Sequence, residues 1–385
     1  MNILFNCTTN VIGGGVKNSA IFIKYALADK EMNWLFAVSP AVQDVLSRWG
    51  INDARIHIFS NSPARNKKTR HALVDFSKKN NVNLVYTMAG PAYVNFPVLH
   101  VMGISNPYIT HGDLQSIIIN RDLRYIAKML ITTAYQSYYA RMADHWLFQT
   151  ETARDSFVGR FKIPKKRTNV IPNAIGNEFI KYFSDQPYKT VDFSKQVNIF
   201  CPAADYWHKG ISLIPKIAFY LKQEAQKKYN FRFILTLKKH SELWEKVSKL
   251  ALKFDVGSNL INIGPYNYAK AVSLYEQSDI VFVPSILETF SASYLEAFAS
   301  KRPLIAADKE FARQICKNAA LYINPFDGVS SAKAIHELIS DQEMQLKLEK
   351  EGEKIINTYG LQSQRVSLIF NYLKEIASID ESSYK

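Results

Sequence analysis

Two glutamates eight residues apart, Glu288 and Glu296, stand in the segment DIVFVPSILETFSASYLEAFASKRPLIAAD (279–308). An apolar run ends at Pro284-Ser285 and a short loop then presents Glu288. The spacing predicts a helix starting near Ser291, with Glu296 in its second turn and a strand resuming after Pro303. The first N–H groups and the positive end of such a helix attract anions, so the backbone at Thr289, Phe290 and Ser291 suits a phosphate. A carboxylate accepts hydrogen bonds from ribose or sugar hydroxyls. Together these groups fit a ligand carrying both, a sugar diphosphate. A Glu-x7-Glu by itself is usually two solvated carboxylates. The flanking strand, the two prolines and the small-residue helix are what give it chemical meaning.

A second group precedes it. The run PAADYWHKG (202–210) follows an apolar strand and places His208-Lys209-Gly210 just before a predicted helix at 211–226. A lysine at the opening of a helix neutralises a diphosphate leaving group, against the plainer reading of a surface lysine. Near the amino terminus, Gly13-Gly14-Gly15 falls between a strand and a helix, the geometry of a phosphate loop. Asn18 stands where the third glycine of a dinucleotide fingerprint would be, and a plain tight turn is the alternative. His111, in NPYITHGDL, is a further candidate, though the strand before it ends about eight residues earlier at Met102-Gly103. Asp113 shares its loop.

The elements that must position these residues alternate. Apolar runs at 2–7, 34–38, 56–59, 84–87, 98–102 and 146–149 are separated mostly by stretches of helical length. After Ile171-Pro172-Asn173-Ala174-Ile175 comes an irregular stretch through Gln196, which reads as a linker. A second series of runs follows at 197–202, 233–237, 260–263, 280–283, 303–306 and 321–323, with two long helical patterns at 341–357 and 362–378. Strand–helix alternation predicts an α/β protein of two Rossmann-like, doubly wound domains facing each other across a cleft. The expected domains are 1–180 and 197–360, with 361–385 a terminal helix packing back on the first. At 385 residues, two cores are the natural division.

Composition limits the partners. The net charge of +14 is unevenly spread: 21 basic against 10 acidic residues through Ile175, and 27 against 24 in the rest. A basic half suits an anionic membrane surface, a phosphorylated acceptor or nucleic acid, or serves solubility alone. From 114 to 142, Ile117, Ile118, Leu123, Ile126, Leu130 and Tyr138 interleave with Arg121, Arg124, Lys128 and Arg141. Such a stretch lies on an anionic leaflet or is an ordinary core-packing helix. No apolar run approaches the ~18 residues of a membrane span, and the start MNILFNC reads as a buried strand rather than a signal peptide. Cys7, Cys201 and Cys316 are scattered singly, as in a reducing cytosol.

Glu288-x7-Glu296, within PSxxETFSxxxLEAFAxxxP, resembles the signature of the family 4 retaining glycosyltransferases of the GT-B fold. Gly264-Pro265-Tyr266, Leu274-Tyr275 and Ser278-Asp279 resemble that family's lead into the motif. PNAI at 172–175 and Phe148-Gln149-Thr150-Glu151 resemble its interdomain segment and a preceding strand end. The resemblance is good across 145–325 and weaker before. It implies that Glu296 binds the donor ribose, that Glu288 contacts the transferred sugar, and that Lys209 meets the diphosphate. Gly264, Tyr266, Thr289, Phe290 and Ser291 then belong to the donor site, with the glycine loop approaching the phosphates from the other domain. Many relatives carry an arginine where this chain has Ala203, a missing cation for which His208 substitutes as a donor.

The implied reaction moves a sugar, a hexose by expectation, from a nucleoside diphosphate sugar to an acceptor hydroxyl with retention. The expected acceptor is a glycan or lipid-linked glycan of bacterial surface polysaccharide (lipopolysaccharide) biosynthesis. The expected location is cytoplasmic, peripheral on the inner face of the membrane. No Asp-x-Asp pair stands in a suitable loop, so no metal and no other cofactor is expected. The rivals are a sugar-nucleotide epimerase of the same architecture and a basic nucleic-acid-binding protein. Neither aromatic–basic interleaving nor a known module supports the latter, so nucleic acid is not an expected partner.

Overall fold

The computed structural model describes residues 1–119, 122–192, 194–226 and 228–383. In chain order its elements begin with β1 (Asn2–Cys7), α1 (Gly14–Ala26), β2 (Asn33–Val38), α2 (Pro40–Arg48), β3 (Ile56–Ile58), α3 (Lys67–Lys79), β4 (Leu84–Gly90) and β5 (Leu99–Ile104). There follow α4 (Pro107–Thr110), α5 (Leu114–Ile118), α6 (Leu123–Ala140), β6 (His145–Phe148), α7 (Glu151–Phe161), β7 (Thr168–Val170) and α8 (Asn177–Phe183). The next series is β8 (Gln196–Cys201), α9 (Ile214–Ala225), β9 (Asn230–Leu235), α10 (Glu242–Lys253), β10 (Leu260–Asn262), α11 (Ala271–Glu276), β11 (Ile280–Val283) and α12 (Ala292–Ala299). It ends with β12 (Leu304–Ala307), α13 (Glu310–Cys316), β13 (Ala320–Ile323), α14 (Gly328–Ser340), α15 (Gln342–Ile356) and α16 (Gln362–Ser383).

The chain divides into two compact units. Unit 1 is Met1–Gly112, Leu123–Pro172 and Gln362–Lys385; unit 2 is Asp113–Asp122 and Asn173–Leu361. Against the boundaries expected from sequence, unit 2 starts at Asn173 rather than 197, and the 113–122 segment clusters with it. The stretch expected to be an irregular linker contains α8, whose Phe179 and Phe183 are fully buried in unit 2. Those two phenylalanines, one helical turn apart, give α8 the apolar face that makes it part of a core.

Unit 1 holds a seven-stranded parallel sheet ordered β3-β2-β1-β4-β5-β6-β7. Its strands are apolar on both faces, as parallel strands covered by helices require. In β1, Ile3, Phe5 and Cys7 enter one core cluster while Leu4 enters another. Phe5, Phe22, Trp34 and Phe36 make an aromatic centre, and Phe370 of α16 stands edge-on to Phe22 with centroids 5.5 Å apart. Val366, Ile369, Leu373 and Ile376 carry α16 into the same cluster. Arg365 is buried beside them and donates to the Pro172 carbonyl at 3.1 Å.

Unit 2 repeats the plan with six parallel strands ordered β10-β9-β8-β11-β12-β13. Here too β11 alternates: Ile280 and Phe282 face the cluster formed with α9, α10 and α14, while Val281 and Val283 face that of α8, α12 and α13. Side-chain caps fix several helix starts, with Ser241 accepting from the Trp244 N–H and Asp341 from the Met344 N–H.

Candidate functional site

In unit 2 the strand order runs outward in both directions from the β8–β11 pair, so the connections leaving these two strands diverge to opposite sides. The crevice at their carboxyl ends is the topological switch point where doubly wound sheets bind ligands. The loop after β8 carries His208 and Lys209; the loop after β11 carries Glu288 through Ser291 and leads into α12. Both predicted constellations therefore come from the two central strands of one sheet.

The loops are tied together. The Ile286 N–H donates to the His208 carbonyl at 2.8 Å. Gly210 has φ +72°, and a Cβ there would stand 2.1 Å from the Pro284 carbonyl oxygen, so only glycine lets the loops approach this closely. The β8 loop is also fastened to the end of β9, where the Thr236 hydroxyl accepts from the Ala203 N–H at 3.1 Å and donates to the Ala203 carbonyl at 2.8 Å.

On this frame the Lys209 ammonium donates to Oε1 of Glu288. Their side chains are 17% and 8% exposed, so the pair is largely withdrawn from water. Lys209 was expected to face a diphosphate and Glu288 a sugar; the fold joins them as an ion pair. His208 is buried and stacked on Tyr206, centroids 5.4 Å apart at 14°. Burial first, and the Lys209 charge second, push its imidazole down to about 4 against the opposing pull of Glu288. At neutral pH it is therefore an uncharged ring, able to offer one N–H and no positive charge.

Thr289, Phe290 and Ser291 are buried, with Ser291 at the N-cap of α12 making no capping side-chain hydrogen bond. The first turn of α12 thus presents backbone N–H groups without the usual side-chain cap. Glu296, half-buried on α12, accepts a hydrogen bond at Oε2 from the Tyr275 hydroxyl at 2.8 Å. Gly264 adopts φ +77° after β10, and its N–H donates to Asn262 Oδ1 at 3.2 Å. Tyr266, two residues on, packs against Phe200 with centroids 6.0 Å apart; burial and the Glu296 charge hold its phenol protonated.

The remaining candidates lie in unit 1 or at its edge. Gly13 has φ +69° and occupies the N-cap of α1, while a Cβ on Gly13 or Gly14 would meet nothing within 4 Å. The glycine loop follows β1, which neighbours β4 at the corresponding switch point of the first sheet. His111 is the C-cap of α4, its Nδ1 2.8 Å from the Thr110 hydroxyl. Asp113 belongs to unit 2 instead, where it caps α5 by accepting from the Ser116 N–H and lies 3.9 Å from Lys309. The amphipathic stretch 114–142 is two helices, and α5 packs near the 3-10 turn Trp207–Lys209. Arg121 lies outside the described residues. On α6 only Ala140 is buried, and Leu123 and Ile131 are 81% and 71% exposed. An ordinary core-packing helix would bury such residues.

Two features have no local sequence signal. The contact of Tyr275 with Glu296 spans 21 residues and two helices. Glu349 on α15 is 3% exposed with neither carboxyl oxygen hydrogen-bonded, and burial raises it to about 8 despite nearby Arg302 and Lys301. Among the described residues no group of three His, Cys, Asp or Glu is placed to hold a metal ion, and no helix is long and apolar enough to cross a membrane.

The family model described as Glycosyl transferases group 1 matches residues 185–355, the stretch that contains all of the unit 2 site. The chain is 27% identical over 194 residues to an O-antigen chain mannosyltransferase of Salmonella typhimurium, covering 50% of each protein. It is 23% identical over 264 residues to a Campylobacter jejuni N,N'-diacetylbacillosaminyl-diphospho-undecaprenol alpha-1,3-N-acetylgalactosaminyltransferase, covering 65% of this chain and 63% of that one. The chain thus spans between half and two thirds of the length of these curated relatives. Sucrose-phosphate synthase from Thermosynechococcus elongatus superimposes with a TM-score of 0.74 at 13% identity, over 98% of this chain and 100% of that one. That likeness shows the fold: GT-B, with two parallel-sheet α/β domains.

Proposed function

We propose, from the match of residues 185–355 to the model described as Glycosyl transferases group 1, that this chain is a retaining glycosyltransferase using a nucleoside diphosphate sugar. The observation that carries the proposal is the convergence of Lys209, Glu288 and the N-terminus of α12 at the switch point of the second sheet. The bond between the anomeric carbon and the diphosphate breaks, and the acceptor hydroxyl bonds to the same face of that carbon. The departing phosphate takes the acceptor proton, so no enzyme nucleophile is assigned. Lys209 and the first N–H groups of α12 stabilise the charge developing on the diphosphate. Glu288 contacts the transferred hexose, Glu296 holds the ribose, and Gly264 and Tyr266 border the nucleotide. His208 contributes an N–H. No metal or other cofactor is assigned.

The acceptor is a lipid-linked or growing surface glycan met at the cytoplasmic face of a membrane. Two features support this: the named activities of the relatives, and α6, with its exposed Leu123, Leu130 and Ile131 beside Arg124 and Lys128. From 123 to 143 there is no Asp or Glu, so nothing in this stretch repels an anionic leaflet.

The test is thermal stabilisation by UDP, GDP, ADP and CDP without added metal, in the unmodified protein and in Glu296→Ala. A rise with one nucleotide, lost in the variant, is the expected result. No rise with any of the four removes the reading. Labelled donor then distinguishes transfer product from free sugar or from an epimer.

A further inference from the structure

We infer that Tyr275 is a positioning residue that fixes the carboxylate of Glu296 for the ribose of the donor nucleotide. The inference rests on the proposed role of Glu296 and adds to it a second residue, 21 positions earlier, that prepares it.

The Tyr275 ring is fully buried. It stands edge-on to Phe179 at 5.2 Å and to Phe200 at 5.1 Å, so α8 and β8 hold it from two sides. Its hydroxyl emerges at α12, donating to Glu296 Oε2 at 2.8 Å, and it also makes a hydrogen bond with the Ser293 side chain. A phenol has one proton to give. With that proton on Glu296, the Ser293 hydroxyl donates to the phenol oxygen, and the three groups form a directed chain across two helices. Burial and the adjoining carboxylate keep the phenol protonated, as the donor role requires.

This arrangement serves Glu296 more than it serves the core. Glu296 is half-buried rather than fully enclosed, so burial alone does not demand this particular donor for its charge. What the bond removes is freedom: a glutamate on a helix surface samples several rotamers, and a ligand that needs one of them loses affinity ordering it. A rigid, buried phenol holding one carboxylate oxygen sets the carboxylate plane in advance.

The experiment compares binding of UDP, GDP, ADP and CDP with that of their 2′,3′-dideoxy counterparts, by calorimetry, in the unmodified protein, Tyr275→Phe, Glu296→Ala and the double variant. Thermal unfolding of each variant is recorded alongside. Tyr275→Phe keeps the ring and removes one charge-assisted hydrogen bond. It should weaken the best ribonucleotide about 10-fold and leave its dideoxy analogue within about 2-fold. In the Glu296→Ala background, Tyr275→Phe should have no further effect on the ribonucleotide. Equal weakening of both nucleotides, which a merely structural or unfolded Tyr275→Phe would give, overturns the inference. So does unchanged ribonucleotide affinity. If Glu296→Ala itself does not discriminate ribose from dideoxyribose, or the unmodified protein binds none of the four, the reading of Glu296 fails and the inference goes with it. Discrimination lost in Glu296→Ala but kept in Tyr275→Phe sinks the inference alone.

Discussion

Replacing Lys209 by methionine should cost more stability than the loss of an ordinary surface lysine. The ammonium donates to a glutamate whose side chain is only 8% exposed, and the lysine side chain is itself 17% exposed. At an effective dielectric of about 20, opposite charges about 3 Å apart attract by roughly 5 kcal/mol, most of which offsets the cost of removing both from water. Taking away one partner leaves the desolvation of the other in place, so Lys209→Met should destabilise by roughly 3–5 kcal/mol. Glu288→Gln should cost less, because a lysine stem can carry its ammonium toward water. The double variant Lys209→Met/Glu288→Gln should recover to within about 1 kcal/mol of the unmodified protein, since neither charge is then buried. Urea denaturation of the four proteins at pH 7 gives the coupling energy directly. A Lys209→Met cost below about 1 kcal/mol, or simple additivity in the double variant, would show that the pair is effectively solvated. The account of a withdrawn ion pair between the β8 and β11 loops would then be wrong.

Burial holds Glu349 protonated in the folded state up to about 8, against an ordinary carboxyl value of about 4.5 in the unfolded chain, so the fold binds a proton that the unfolded chain has lost. The stability it contributes is therefore complete below about 4.5 and declines as pH rises toward about 8. Glu349→Gln should lack this decline, so the stability difference between variant and parent should drift by a few kcal/mol in the variant's favour from pH 5 to pH 8; a constant difference in urea midpoints would refute it. Gly210→Ala forces a left-handed residue against the Pro284 carbonyl and should cost about 2 kcal/mol or more with weakened nucleotide binding, whereas unchanged melting would mean the loops are not in contact. Gly14→Ala meets nothing within 4 Å and should leave the melting temperature unchanged or raised. If phosphate approaches that loop, transfer falls even so; full activity would remove Gly14 from the site. Leu130→Glu/Ile131→Glu, at exposed positions of α6, should reduce co-flotation with phosphatidylglycerol vesicles at least about 5-fold without lowering the melting temperature; equal flotation would exclude α6 as the contact.

The two sheets were legible in the sequence because parallel strands buried on both faces are unbroken apolar runs, as in Ile280–Val283 and Leu304–Ala307. The Glu288–Glu296 element was legible because a strand, a proline, a loop and a small-residue helix are all local. Other features depend on distant pairing. Helix α8 looks irregular because only two phenylalanines face inward over seven residues. The assignment of 113–122 to unit 2 follows from packing of α5 near the Lys209 turn, which nothing within α5 announces. The joining of Lys209 to Glu288 requires β8 and β11 to be neighbours, and no spacing along the chain specifies that 79-residue separation. His208 was expected as a compensating donor, and the burial that only the fold reveals leaves its ring uncharged at neutral pH.

An uncharged His208 shapes how a diphosphate would be held. Ala203 supplies no cation, His208 is neutral, Lys209 is already opposed by Glu288 and Asp205 adds another carboxylate, so the loops after β8 and β11 bring no net positive charge to the switch point. A dianionic ligand placed beside Glu288 is tolerated only if Lys209 lies between the two anions and the α12 N–H groups take the remaining phosphate oxygens. Lys209 then serves as a bridge rather than a spare charge, and Glu288 fixes where its ammonium sits. On this view Glu288→Gln releases Lys209 to the phosphate alone, so nucleoside diphosphate should bind as tightly as before or more tightly while sugar transfer falls. Lys209→Met should lose both. A Glu288→Gln variant that weakens the nucleotide as much as Lys209→Met does would mean that the carboxylate itself contacts the nucleotide, and the bridging arrangement would have to be abandoned.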